Sequence, residues 1–397
     1  MTVDAGWTGG AGRTAGAAKS DAPLRVAFVV GVATGGTASH VAALARGCRD
    51  AGLAVSVLAP PATLRQVTSG PTESGPAVAL RTGAGPQPVR DGATVARLRG
   101  WLASWRPDVV HAHGVRAGAL SAAAITLLRR TARPALVVTV HNAPPATRAA
   151  AVMHAQLERV CARRADLVLC ASADLVARLR ARGAADARQF DVPAAPAEPP
   201  SAAEVATVRR ELTVAGRPVV LAAGRLAPQK GLDVLIDAAA RWRDRDPRPV
   251  TVIAGDGPLA EALRARAAGL ADGDVRLLGH RSDVPALLAA ADVVVVPSRW
   301  EARALIVQEA MRAGRPVVAS RVGGIPDLTG AGALLVPPGD PAALAAAVMA
   351  VLDQPALAAR LCRAARAQAT SFPAQHDALA ATLACYARLV TSRRRAR

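Results

Sequence analysis

Only two lysines occur in the 397-residue chain, Lys19 and Lys230, against 47 arginines. Lys230 lies in Gly224-Arg-Leu-Ala-Pro-Gln-Lys-Gly231, five positions after Arg225. Two cations across a glycine-flanked turn can converge on one polyanion. An ammonium there supplies a compact point charge that the planar guanidinium fork does not. Glycine-rich turns let backbone N–H groups and helix N-termini approach anionic oxygens. Charge growing on a departing diphosphate would be stabilised by such fixed cations without a metal. The plainer explanation is a capping glycine beside ordinary surface cations.

Glu301 and Glu309 follow, separated by seven residues. At a helical rise of ~1.5 Å per residue they stand roughly 12 Å apart along the axis. That is too far to share a proton, and wider than the carboxylate gap of a retaining hydrolase. They could instead grip two hydroxyl-bearing parts of one extended ligand. His40, His111, His113 and His141 fall near expected strand ends, without the H-E-x-x-H spacing of a zinc site. A satisfied core or cap histidine explains each of them, with His113 set apart because it and Gly114 end a strand facing the expected cleft. The strings Asp244-Arg-Asp246 and Asp272-Gly-Asp274 precede strands and read as surface turns.

These residues need a scaffold that gathers them at one edge. Short apolar runs at 24–30, 54–58, 109–110, 136–140 and 167–170 alternate with helical stretches. Continuous Val/Leu runs of this kind suit parallel strands covered on both faces. Val192-Pro-Ala-Ala-Pro-Ala-Glu-Pro-Pro-Ser201 reads as a hinge. The pattern then restarts, with strands expected at 219–222, 250–254, 275–278, 293–296, 317–320 and 334–336. The expected fold class is α/β, two Rossmann-like doubly wound domains facing across a cleft. Its parts are a disordered tail (1–22), a first domain (23–192), a hinge (193–201), a second domain (202–375) and a terminal helix with a basic tail (376–397). The last part is expected to pack back on the first domain, and helices from about 341 onward could cross both. In such sheets ligands sit beyond the carboxyl ends of the strands. Gly35-Gly36, His113, Arg225, Lys230, Gly255, Glu301, Glu309 and Gly323-Gly324 all follow expected strands.

A length of 397 residues favours two domains over one core. The net charge of +19 is concentrated as +11 on 21–192 and +7 on 193–397, where Arg388, Arg393, Arg394, Arg395 and Arg397 supply much of it. An anionic partner is plausible on that basis, and an arginine-biased surface explains it equally well. Aromatic residues at 2% leave few stacking platforms, which argues against nucleic acid. The cysteines Cys48, Cys161, Cys170, Cys362 and Cys385 are scattered, as expected of reduced thiols in a cytoplasmic protein. The longest apolar stretches fall short of a membrane span.

The segment 224–339 resembles the retaining family 4 glycosyltransferases of GT-B fold. It does so through Gly224-Arg-Leu-Ala-Pro-Gln-Lys-Gly231, Gly255-Asp-Gly-Pro258, Leu278-Gly-His-Arg-Ser-Asp-Val284 and Ala291-Asp-Val-Val-Val-Val-Pro-Ser298. The Glu301-x7-Glu309 pair, Gly314-Arg-Pro-Val-Val318 and Gly323-Gly-Ile-Pro-Asp327 continue the order. The first domain is similar through Gly35-Gly36 with His40, Asp108-Val-Val-His-Ala-His-Gly114 and Thr139-Val-His-Asn142. The resemblance implies transfer of a hexose-type sugar from a nucleotide diphosphate donor, UDP- or GDP-linked, with retained configuration and neither metal nor cofactor. It implies that Arg225 and Lys230 bind the diphosphate, Glu309 the ribose and Glu301 the transferred sugar. Gly35 and Gly36 would approach the diphosphate or acceptor, and Gly255 would line the nucleotide site. His113 would meet the sugar, while His280 and Arg281 would lie beside the base.

Where the family has Gly, an aromatic or Leu, and Pro or Gly after the first glutamate, this chain has Ala302-Arg303-Ala304. Arg303 therefore either meets an anionic group or points to solvent. Asp327 stands where Glu is common. The competing expectations are a nucleotide-sugar epimerase of the same fold and a non-catalytic nucleotide-sugar-binding relative. The acceptor is unidentified, because 60–95 and 143–155 match nothing specific. The basic first domain and tail suggest an anionic or lipid-linked acceptor and peripheral contact with the inner face of a membrane.

Overall fold

The computed structural model describes residues 22–33, 35–68, 78–80, 88–141, 147–212, 216–270 and 273–395. The tail expected at 1–22 thus lies almost wholly outside the described residues, as does Asp272.

Among the described residues the first domain holds β1 (Arg25–Val30), β2 (Ala54–Ala59), β3 (Val78–Ala79), β4 (Val109–His113), β5 (Ala135–Val140), β6 (Leu167–Cys170) and β7 (Ala187–Gln189). They pair in parallel in the order β3-β2-β1-β4-β5-β6-β7. The second domain holds β8 (Val219–Ala223), β9 (Val250–Ala254), β10 (Val275–Gly279), β11 (Val293–Val296), β12 (Val317–Ser320) and β13 (Ala333–Val336), in the order β10-β9-β8-β11-β12-β13. Both sheets are doubly wound, and each has its topological switch point beside its first strand, between β1 and β4 and between β8 and β11. Loops diverge there, which opens a crevice at the carboxyl ends.

The β-branched runs of the central strands are buried on both faces, as in Val26 to Val30 and Val293 to Val296. Helices on both faces of each sheet remove that surface from water, at roughly 25 cal/mol per Å2 of apolar area. The first core extends beyond its own domain. It takes in Ala378 and Tyr386 of the terminal helix Gln375–Arg395, and also Ala302 from the second domain. Arg393 anchors that helix by donating to both oxygens of Asp166 at 2.9 and 2.8 Å. The two preceding helices, Pro341–Asp353 and Pro355–Ala369, stay with the second domain, where Leu344, Val348, Leu361 and Ala365 are buried. Only the last helix crosses, which corrects the expectation that everything from about 341 could do so. No single helix among the described residues is long and apolar enough to cross a membrane.

Two further corrections concern polar residues. His111 and His113 do not follow their strand: β4 runs through both, and register with β1 pairs Phe28 with His111 and Val30 with His113. Asp274 is not on a surface turn; it is 6% exposed and accepts from Arg217 at 2.7 Å and Arg248 at 2.9 Å.

Candidate active site

At the second sheet's switch point, a pocket is lined by Gly224, Arg225, Lys230, Pro297, Ser298 and Ile306. Each lining residue arrives for a local reason. β8 ends at Ala223, and the turn after it leads through a short 3-10 segment, Pro228–Lys230, to Gly231 in the left-handed conformation. That turn carries Lys230 back over the strand end. β11 ends at Val296, and the chain passes through Ser298 and Glu301 before helix Leu305–Arg312 begins. This helix has no side-chain cap, so its first N–H groups face outward without an intrahelical partner.

Lys230 Nζ donates to Glu301 Oε1 at 2.5 Å, and Ser298 Oγ donates to the same oxygen at 2.9 Å. Glu301 is 6% exposed, so its carboxylate is held in place by an ammonium and a hydroxyl. Arg225 is exposed at the same pocket, and the cation pair thus has one member engaged and one facing solvent. Glu309 is half-buried on helix Leu305–Arg312, and burial raises its carboxyl above the usual range, opposed by the nearby Arg312. A desolvated acid of this kind gains from any hydroxyl that donates to it.

The glycines set how closely the walls meet. Gly255 sits at φ +144°, and a Cβ there would lie 1.8 Å from the Gly224 carbonyl oxygen. Gly323 sits at φ +49°, where a Cβ would lie 1.9 Å from the Glu301 carbonyl oxygen. Only glycine permits both contacts, so the β12 loop lies directly against the backbone of the Glu301 loop. Gly36 opens helix Gly36–Asp50 of the first domain, with Gly35 as its cap. It abuts Leu305, whose Cδ1 would be 2.6 Å from a Cβ at Gly36. The Gly35-Gly36 turn therefore meets the head of the Glu301–Glu309 helix across the crevice.

His113 is 3% exposed at the end of β4 and contacts His141 through Nδ1 and Nε2 at 3.3 Å, while its own Nε2 has no partner among the described residues. His40 lies within 5.9 Å of it, ring centre to ring centre. His111 is tied to Tyr386 Oη and Thr139 Oγ1, both at 2.6 Å. Burial first, and neighbouring imidazoles second, hold His111 down to about 3 and His113 and His40 well below the usual value. Burial alone takes His141 to about 4. The four rings are neutral at physiological pH. His280 is exposed at the end of β10. Arg281 is committed elsewhere: it donates to Glu211 at 2.6 and 3.1 Å and to Asp283 at 2.8 and 2.7 Å.

Arg303 takes the first of the two courses expected of it, and the anionic group it meets belongs to the protein itself. Its side chain is 11% exposed and pairs with Asp191 at 2.8 Å, at the start of the hinge. Trp300, which the sequence reading passed over, donates from Nε1 to Asp174 of the first domain at 3.1 Å. A tryptophan beside Glu301 was visible in the chain; the carboxylates that receive Trp300 and Arg303 carry no local signal.

Comparison with known proteins agrees with this geometry. Residues 217–354 match the family described as glycosyl transferases group 1, and 35–195 match a glycosyl transferase 4-like domain. The chain is 35% identical over 298 residues to a glycogen synthase of Mycobacterium tuberculosis, covering 71% of this chain and 69% of that protein. It is 37% identical over 262 residues to the 2-deoxystreptamine N-acetyl-D-glucosaminyltransferase of Streptomyces fradiae, covering 61% and 62%. Among solved structures, Anabaena HepE in complex with UDP and glucose superposes with a TM-score of 0.76 at 24% identity, covering 91% of this chain and 99% of that one. Sucrose-phosphate synthase from Thermosynechococcus elongatus gives 0.75 at 24%, covering 93% and 100%. Two doubly wound sheets, a cation-bearing turn after β8 and a carboxylate pair after β11 thus have the GT-B fold as their frame, and the chain belongs to the group 1 glycosyltransferases.

Proposed function

We propose that the protein transfers a hexose-type sugar from a nucleotide diphosphate sugar, UDP- or GDP-linked, to an acceptor still to be identified, retaining the anomeric configuration. The observation that carries this is the Lys230–Glu301 contact of 2.5 Å at the β8/β11 switch point. It joins at one pocket a cation that would suit a phosphate and an acid that would suit hydroxyl groups. Lys230, Arg225 and the first N–H groups of helix Leu305–Arg312 would receive the diphosphate, next to the turn held by Gly255. Glu309 would take the ribose and Glu301 the sugar hydroxyls, with His113 and the Gly35-Gly36 turn closing from the other domain. His280 would lie by the base, with Arg281 fixing the backbone there.

Leaving-group charge is met by protein cations in this arrangement, which supports transfer without a metal ion. The departing phosphate oxygen would take the acceptor's proton, so positioning and charge stabilisation provide the catalysis. HepE has been crystallised with UDP and glucose, and glucosyl- and N-acetylglucosaminyltransferases are among the relatives, which favours UDP-hexoses as first donors to test. Incubation with radiolabelled UDP- and GDP-sugars checks the proposal. A transferase alone releases free sugar slowly by hydrolysis, and with a competent acceptor it releases the nucleoside diphosphate faster as the label moves to the acceptor. Isomerised donor would establish an epimerase instead, and retention without turnover a binding relative.

For a protein on the cytoplasmic side, as we propose, helix Arg148–Arg164 supports peripheral docking on anionic lipid. Val152, Met153 and Val160 are 58, 43 and 40% exposed on one face of this helix. Exposed Arg148, Arg163 and Arg164 share that face, the pairing of apolar and cationic groups that interfacial helices use. Full-length protein should co-sediment with vesicles rich in anionic lipid and be released by salt. Equal binding to neutral vesicles, or none to either, would remove this contact.

A further inference from the structure

Among the described residues, the Glu301 carboxylate is bound within its own domain, by Lys230 and Ser298. The residues on either side of it behave differently. Trp300 donates to Asp174 at 3.1 Å, and Asp174 also accepts from Ser172 Oγ on the same side of the crevice. Ala302 is 3% exposed and belongs to the first domain's core, with Trp300 and Leu305 packed against it. Arg303 pairs with Asp191. The hinge residues just after Asp191 are held by the helix that follows the loop: Gln308 Nε2 donates to Val192 O at 2.9 Å, the Ala194 N–H donates to Gln308 Oε1 at 3.1 Å, and Arg312 donates to Ala194 O at 3.2 Å.

We infer that Trp300 and Arg303 are positioning residues through which the first domain fixes the loop that carries Glu301. The assignment rests on the sugar-transfer role of Glu301 given above. Arg303 is mostly buried, so removing Asp191 leaves a desolvated cation without its ion-pair partner, with only the charge of Asp327 to offset it, and the loop without its anchor. Neither clasp touches Lys230, Arg225 or Glu309. Opening them should therefore spare nucleotide binding and impair the step that needs the sugar held correctly. A small displacement of a positioned group is enough for a large rate loss.

A charge exchange tests this in the full chain. Arg303→Asp and Asp191→Arg should each slow donor turnover about 10-fold, with the UDP dissociation constant within about two-fold of wild type on calorimetry. Hydrogen–deuterium exchange over 298–304 should rise in both. The double variant, with the pair reversed, should recover most of the rate and the protection. Trp300→Phe keeps the ring and loses only the N–H, so the fold is safe; a rate about three-fold lower is expected of losing one hydrogen bond. Single variants at full rate, or a double variant no better than either single one, would overturn the inference. If wild-type protein turns over no nucleotide sugar, the transferase proposal fails, whereas exchange over 298–304 and its recovery on charge reversal still decide whether the clasps exist.

Discussion

Replacing Lys230 by alanine is expected to lower turnover by more than ~100-fold while the protein stays folded, the scale of losing one pre-organised charge contact to a transition state. Two effects combine in this variant. A diphosphate bound as proposed would lose the ammonium whose charge grows in value as the bond to the sugar breaks. Glu301, whose side chain is 7% exposed, loses its cation and keeps only the Ser298 hydroxyl. A buried carboxylate without its cation carries an uncompensated desolvation cost, and its position in the loop is held less firmly. The double change Lys230→Ala with Glu301→Gln separates the two. It removes the unpaired charge, so thermal stability should return to near wild type, while turnover stays as low as in Lys230→Ala. Initial rates of donor hydrolysis and circular dichroism melts give both readouts. Normal turnover in a well-folded Lys230→Ala protein would take Lys230 out of the diphosphate site.

Lys230 also shows what a chain of this type discloses. Its loop and the Glu301–Glu309 spacing are each local, so both were visible as candidates. Their contact joins positions 71 residues apart, and nothing in either segment names the other. The central strands were visible for a similar reason, because strands covered on both faces become continuous apolar runs. β3 and β7 escaped notice: they are two and three residues long at sheet edges, with exposed Ala79, Arg188 and Gln189. β4 was cut short at Val110 because histidines interrupt its apolar run. Those histidines are buried all the same: His111 bonds to Tyr386 and Thr139, and His113 meets His141 through Nδ1. Tyr386 comes from a helix 275 residues further on, which local patterning cannot reveal. Asp274 was misjudged, since a charged residue next to a turn is usually solvated and only a distant partner makes burial tolerable; the partner of Arg303, Asp191, was equally invisible locally.

The buried histidines lead to the other large effect expected, a loss of stability in mild acid centred on the first domain. Burial holds His111 down to about 3 and His141 to about 4, against an unfolded value of 6.5. A ring whose folded pKa is depressed binds its proton in the unfolded chain first. Its contribution is complete above pH 6.5 and is lost as pH falls towards the folded value. At pH 4.5 each of these two rings should cost roughly 2.5 kcal/mol. His40 and His113 act in the same direction. The acidic groups around the cluster are sparse, and its packed neighbours Phe28, Phe190 and Tyr386 offer an imidazolium no compensating charge. Urea unfolding at pH 8.0, 6.5 and 5.0 should show little change over the first interval and a marked fall over the second. His141→Asn removes one such proton acceptor and should flatten the slope between pH 6.5 and 5.0. Tyr386→Phe breaks the bond between His111 and the terminal helix, and should lower stability at every pH without flattening it. A midpoint independent of pH from 8.0 to 5.0 would mean that these rings are already protonated or solvated in the native protein. His113 could not then meet the sugar as a neutral imidazole.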